Sequence, residues 1–283
     1  MIAPAAYYAM KKISTITPSQ CARIRGVLFD IDDTFTHEGK MLPQAFQALW
    51  DLRQAGLITV PLTGRPAGWC DHIARMWPVD GVVGENGAFY YYYDKKARKL
   101  RQRYIFTPQQ IADKRAKLVT IKNEVLRRVP SAAVASDQPF RLFDLAIDFC
   151  EDVKPLSEDE IDEICRVFEK HGATHKISSI HVNGWFGGYN KLSTAKLFLK
   201  ERFKLKWDDA RRCMLFAGDS PNDEPMFEAL ELTVGVANIK NFASRLKHPP
   251  KYITAGKGGH GFAEMAEIIL EKRKQAKGAR SER

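Results

Sequence analysis

From Gly26 onward, short apolar runs alternate with amphipathic stretches, the rhythm of a parallel sheet covered by helices. Residues 26–30 and 57–62 predict buried parallel strands. Between them, Ala45, Phe46, Leu49 and Leu52 fall at helical spacing within 43–54, with Pro43 at the first turn and Gly56 after the end. The same alternation predicts helices over 67–76, 192–203 and 225–230 and strands at 82–83, 214–217 and 233–237.

The middle of the chain breaks this rhythm. Residues 89–93 and 100–106 predict a hairpin around the charged turn 94–99. Helices over 108–129 and 157–171 then bracket a half-buried strand at 143–149, and 174–182 reads as another. The expected architecture is α/β: a Rossmann-like, doubly wound parallel sheet core, 21–88 and 185–270, interrupted by an α+β cap, 89–184. Linkers are expected at 85–87 and 183–188, and residues 1–20 and 271–283 read as basic tails.

Composition fits that picture: 283 residues, 45% hydrophobic and 28% charged, are enough for one large or two moderate packed domains. The longest stretch free of Asp, Glu, Lys and Arg is 177–190, 14 residues, too short to span a bilayer. Residues 1–10 are mildly apolar but precede Lys11 and Lys12, the reverse of a secretory signal. Five scattered cysteines without a C-x-x-C pair indicate neither disulfides nor zinc, and a reducing cytoplasm is the expected compartment. Seven histidines offer no ligand spacing beyond His171 and His175, read as surface residues.

The net charge of +10 invites a nucleic-acid reading, but its placement weakens it. Twelve basic residues face three acids over 94–130, six face two over 271–283, and four face none over 1–25, which leaves the remaining chain net acidic. The basic hairpin and the aromatic run 89–93 read as solvated and packed faces, so nucleic acid is not the expected partner.

Open α/β sheets bind ligands beyond the carboxyl ends of their strands. Here those ends carry Asp30-Ile31-Asp32-Asp33-Thr34, Thr63-Gly64-Arg65 and Gly218-Asp219-Ser220-Pro221-Asn222-Asp223. Residues two apart on an extended chain face the same way, so Asp30 and Asp32 can share a site while Ile31 turns inward. Carboxylates gathered at one sheet edge repel unless a hard cation or a basic side chain sits among them, and an oxygen-only set suits Mg²⁺.

These motifs, in this order, resemble the haloacid dehalogenase-like superfamily of phosphotransferases. The match lies in Asp30–Thr34, in Leu62–Arg65, in a lysine opening a helix at Lys191, and in Gly218-Asp219 with Asn222-Asp223. Glu85-Asn86-Gly87-Ala88 and an insertion of about 95 residues are similar to the branch with a large C2-type cap, which includes sugar-phosphate phosphatases and phosphomannomutases. The resemblance implies Asp30 as nucleophile, Asp32 as acid/base, Thr63 as a hydroxyl donor to the phosphoryl group and Lys191 as its charge balance. It implies Gly64, Arg65 and Asn86 at the substrate. Metal contacts would come from Asp30, Asp219, Asn222 and Asp223, with Asp32 contributing its backbone carbonyl. The first motif usually has Gly where this chain has Asp33, so the local geometry there is open.

The activity implied is Mg²⁺-dependent hydrolysis of small phosphorylated metabolites, sugar phosphates foremost. A phosphosugar mutase shares that chemistry, and a phospho-accepting switch shares the acidic pocket, though Asp32 and the cap argue against a switch. Trp69 and Trp185 could each pack a hinge or form a sugar-stacking wall. Lys196 is an alternative to Lys191 on a different helical face. Oligomeric state has no signal in the sequence.

Overall fold

The computed structural model describes residues 10–178 and 180–281. Its largest sheet is six-stranded and wholly parallel, in the order Lys11–Lys12, Tyr252–Ile253, Leu232–Gly235, Met214–Gly218, Gly26–Phe29 and Ile58–Pro61. The central strands are buried on both faces, as continuous apolar runs require. One face packs against the helices Pro43–Gln54 and Gly258–Ser281 through Phe29, Leu49, Phe262 and Met265. The other packs against Lys191–Phe203 through Leu28, Val60, Phe198 and Phe216. This is the doubly wound core expected, and among the described residues no helix is long and apolar enough to cross a membrane.

The domain boundaries differ from those read in the sequence. Residues 11–20 are not a tail: Lys11–Lys12 pairs with Tyr252–Ile253, and Ile13 and Ile16 enter the core. A capping box between Thr17 and Gln20 starts a helix, Pro18–Arg23. The basic C-terminal segment continues the helix Gly258–Ser281, where Lys272 Nζ donates to the carbonyl oxygens of Ser14 (2.6 Å) and Ile16. Its charges cap backbone oxygens of the N-terminal segment, so residues 11–20 and the described part of this helix belong to the core. Residues 1–9 lie outside the described residues.

The aromatic hairpin also belongs to the core rather than the cap. Phe89–Asp94 and Lys99–Tyr104 form an antiparallel sheet with Val82–Gly84, which a Leu62–Val83 bridge joins to the main sheet. Alternate side chains face opposite ways. Phe89 and Tyr91 pack with Cys70 and Ile73 of the helix Ala67–Met76, while Tyr90 meets Phe198 edge-on at 5.1 Å. The first linker therefore lies near Ile105–Thr107 instead of Glu85–Gly87.

The cap proper is a four-stranded antiparallel sheet covered by the helices Pro108–Arg128 and Glu158–Lys170, each started by a capping box. The strand expected over 174–182 is two strands, Thr174–Ile177 and His181–Trp185, paired antiparallel. Ser178 breaks the run by accepting the His181 N–H on its Oγ at 2.9 Å. At the second linker, Gly187 has φ +134°, and a Cβ there would lie 2.6 Å from the Phe106 ring, so the two linkers cross in contact.

Candidate active site

Register brings the motifs together. Phe29 pairs with Pro61 on one side and Ala217 on the other, so the loops after these three strands emerge side by side. Asp30, Thr63 and Asp219 stand in those loops, all buried. Ile31 turns inward to 2% exposure, while Asp30 and Asp32 line one small cavity, as their spacing requires.

Asp30, Asp219 and Asp223 each place a carboxylate oxygen within 4.8 Å of the others, the one such group of three potential metal ligands among the described residues. Lys191 opens the helix Lys191–Phe203 behind its Asn190 cap and puts Nζ 2.8 Å from both Asp30 Oδ2 and Asp223 Oδ1. Lys196 points elsewhere, with its Nζ 4.5 Å above the Trp207 ring. Burial pushes the Asp30 carboxyl up to about 7, opposed by Lys191 and reinforced by Asp223 and Asp32. Asp219 is also raised, by burial and by Asp223 and Asp30. Thr34 and Asn238 hold it in place, donating to its two oxygens at 2.9 and 3.2 Å.

Asp33 occupies the left-handed region, φ 53°, where glycine is favoured and Asp is tolerated. Its N–H donates to Thr36 Oγ1 and its carbonyl accepts from Asn238 Nδ2, so neighbours hold the strained conformation. Thr63 Oγ1 accepts the Arg65 N–H at 2.9 Å. Asn222 lines the cavity at Asp30, with Oδ1 accepting from Ser220 Oγ. The Asp32 carboxylate is outside the three-carboxylate group; Arg65 Nε donates to both its oxygens at 3.0 Å.

Arg65 also reaches into the cap, 2.9 Å from Glu151, and its guanidinium lies 4.4 Å over the Trp69 ring. His181 Nε2 lies 2.9 Å from the other Glu151 oxygen. Hydrogen bonding from His181, then from Arg65, holds the Glu151 carboxyl down at about 2. A second tie runs from Arg141 Nη1 to the Gly64 carbonyl at 2.8 Å, with Asp137 and Asp144 balancing the buried guanidinium. Gly64 itself is packed on Asn86, whose side chain a Cβ would approach to 3.2 Å. The space left between Asp30 and the cap is about 10 Å³, lined by Asp32, Arg65, His181, Asn183 and Asn222, room for about one water. The cap is shut.

Glu85 is the third tie. One carboxyl oxygen accepts the N–H groups of Ala67 and Leu142, the other those of Phe143 and Asp144, at 2.5–3.2 Å. A Gln amide nitrogen would face two of these donors. Glu85→Gln is expected to cost about 2–4 kcal/mol of stability, read by urea unfolding, and to speed amide exchange at Leu142–Asp144. Unchanged exchange there would show that Glu85 does not hold the cap.

Glu85, Arg141, Glu151, His181 and Asn238 were absent from the sequence-derived site. The bonds that tie them across the site, Leu142 to Glu85, Arg141 to Gly64, Arg65 to Glu151 and Asn238 to Asp33, join residues 57 to 205 apart and obey no local spacing. Only Glu85, standing inside the Glu85–Ala88 motif, carried a signal.

Residues 27–125 match the family described as haloacid dehalogenase-like hydrolase. A search of curated protein sequences returned no match. Among solved structures, a Thermoplasma acidophilum protein is 19% identical with a TM-score of 0.65, covering 87% of this chain and 98% of its own. A phosphatase of the haloalkanoate superfamily from Bacteroides thetaiotaomicron is 17% identical with a TM-score of 0.59, covering 92% and 98%. A sucrose-phosphatase from Synechocystis, solved with sucrose and phosphate, is 17% identical with a TM-score of 0.56, covering 87% and 98%. The family match thus covers about a third of the chain, and the solved structures share its capped fold along nearly its whole length.

Proposed function

We propose that the protein is a Mg²⁺-dependent phosphomonoesterase of small phosphorylated metabolites, sugar phosphates foremost, working through an aspartyl phosphate at Asp30. The observation that carries this is the Lys191 ammonium 2.8 Å from both Asp30 and Asp223, beneath a cap that leaves no room for bulk water. The solved structures of similar fold include a phosphatase and a sucrose-phosphatase, which favours a phosphorylated sugar.

The donor set fits the metal: three carboxylates, no thiol and no imidazole within the group. Asp30, Asp219 and Asp223 would hold Mg²⁺, with the Asp32 carbonyl and Asn222 completing its surroundings. When bound, the ion supplies positive charge against the transferring phosphoryl oxygens.

The chain's own groups do the rest. A carboxylate oxygen of Asp30 attacks phosphorus while the ester oxygen leaves with a proton from Asp32. Water then attacks the phosphoryl group, giving its proton to Asp32 and releasing Asp30. Lys191 balances charge on Asp30 and on the phosphoryl oxygens, and Thr63 donates its hydroxyl to them. Arg65 orients Asp32 and ties it to Glu151 of the cap, so the acid/base is fixed when the cap closes. Gly64 and Asn86 pack together at the substrate side.

Phosphate release from a panel of sugar phosphates and p-nitrophenyl phosphate, in Mg²⁺ or in a chelator, tests this. Release that needs Mg²⁺ is expected. No release from any member, or release undiminished by the chelator, would refute the activity.

A further inference from the structure

Of the open cavities that border the site at Asp30, two differ sharply in the charge of their lining. One, about 290 Å³, is lined by Asp32, Asp33, Glu38 and Glu151, with Arg65 as its one cation. The other, about 260 Å³, lies between the cap strand Thr174–Ile177, the second linker and the start of the helix at Lys191. It is lined by Lys176 and Lys191 and by no acidic residue.

Asn86 Nδ2, Trp185 Nε1 and Tyr189 Oη are buried and have no hydrogen-bond partner among the described residues. All three residues line this second cavity. Buried polar groups are rarely left unpaired, and several gathered at one cavity mark a place where a ligand completes them. An indole N–H, an amide NH₂ and two ammonium groups are donors only, and a phenol can donate. Their complement is a group of acceptor oxygens, and Lys176, in a lining without a carboxylate, makes it an anionic one, while Lys191 is already held between Asp30 and Asp223.

The cavity is continuous in its residues with the phosphoryl site. Lys191 lines it and contacts Asp30, and Asn222 lines both it and the space at Asp30.

We propose that this cavity receives the leaving group and selects one that carries a second oxyanion, a carboxylate or a second phosphate. The proposal rests on the phosphomonoesterase reading and names its substrate class. Trp185 then serves as a donor in the leaving-group pocket, its ring stacked on Tyr189 at 5.5 Å, while exposed Trp69 supports Arg65.

Calorimetric binding to the Asp30→Asn protein in Mg²⁺ tests the pocket without turnover. The probes are two matched pairs: 6-phosphogluconate against glucose 6-phosphate, and fructose 1,6-bisphosphate against fructose 6-phosphate. In at least one pair the doubly anionic member is expected to bind roughly tenfold or more tighter. The pair that shows it names the oxyanion. The preference is expected to fall toward unity when Lys176→Gln or Tyr189→Phe is added; Lys176 is exposed, so its variant folds even if the tyrosine variant does not.

Equal binding within both pairs, or a preference that survives Lys176→Gln, overturns the pocket. If wild-type protein releases phosphate from simple esters without a charge preference, the activity stands and the pocket falls. If it releases none while the doubly anionic probe binds in a Lys176-dependent way, the pocket stands and the activity falls.

Discussion

Asp30→Asn is expected to lower kcat by about four orders of magnitude or more while leaving the protein folded. A carboxamide is nearly the shape of a carboxylate but is not a nucleophile toward phosphorus. Its oxygen can still accept from Lys191, which keeps Asp223 as its charged partner at 2.8 Å. The wild-type carboxyl is pushed up to about 7 by burial, with Asp223 and Asp32 adding to the shift, so the native site holds a strained charge. A neutral amide removes that strain. The urea midpoint is expected to stay level or rise at pH 8, a stability gain at the expense of function. Activity within tenfold of wild type would remove Asp30 from the chemistry.

Lys191→Met is expected to cost about 3–5 kcal/mol of stability as well as most of the activity. It takes the one ammonium from between Asp30 and Asp223 and leaves buried carboxylates facing each other. The loss depends on pH with a definite sign. Without the ammonium that opposes its rise, the Asp30 carboxyl pKa in the folded state moves further above the unfolded value near 4, so the folded state binds more protons than the unfolded chain across the interval between them. Stability then falls as pH rises, and the deficit is smaller at pH 5 than at pH 8. Urea unfolding at both pH values checks it. A deficit independent of pH would mean that Lys191 acts by packing alone. Added Mg²⁺ is expected to restore part of the stability, since it binds the folded carboxylates and not the unfolded chain.

The three strand ends were legible because a buried parallel strand announces itself as an apolar run, and the residues directly after such a run must lie at one edge of the sheet. That logic located Asp30, Thr63 and Asp219 without any distance. Helical spacing put Lys196 on a different face from Lys191 and left both open; the fold places Lys191 Nζ 2.8 Å from Asp30 and Lys196 Nζ over the Trp207 ring. Asp33 in the place of the family's usual glycine was visible as a departure, while its cause, a left-handed backbone strapped by Thr36 and Asn238, needed the fold.

The hairpin and the two ends were misplaced for a shared reason. In Phe89–Tyr93 consecutive aromatic residues conceal a period of two, because both faces are covered, one by Ala67–Met76 and the other by Lys191–Phe203. At the chain ends, density of Lys and Arg suggested solvated tails, yet Lys272 and Arg273 use their long stems to reach carbonyl oxygens at the N-terminal segment. The ties that shut the cap, Arg65 to Glu151 and Arg141 to the Gly64 carbonyl, join residues about 80 apart through side chains whose identity alone carries no pairing.

The role of Asp30 is tested most directly by quenching wild-type protein in acid during turnover of a ³²P-labelled phosphoester with Mg²⁺, then mapping protein-bound label by peptide. Label on the peptide that carries Asp30, sensitive to hydroxylamine and absent from Asp30→Asn, is the expected result. Turnover with the label on another residue would contradict it.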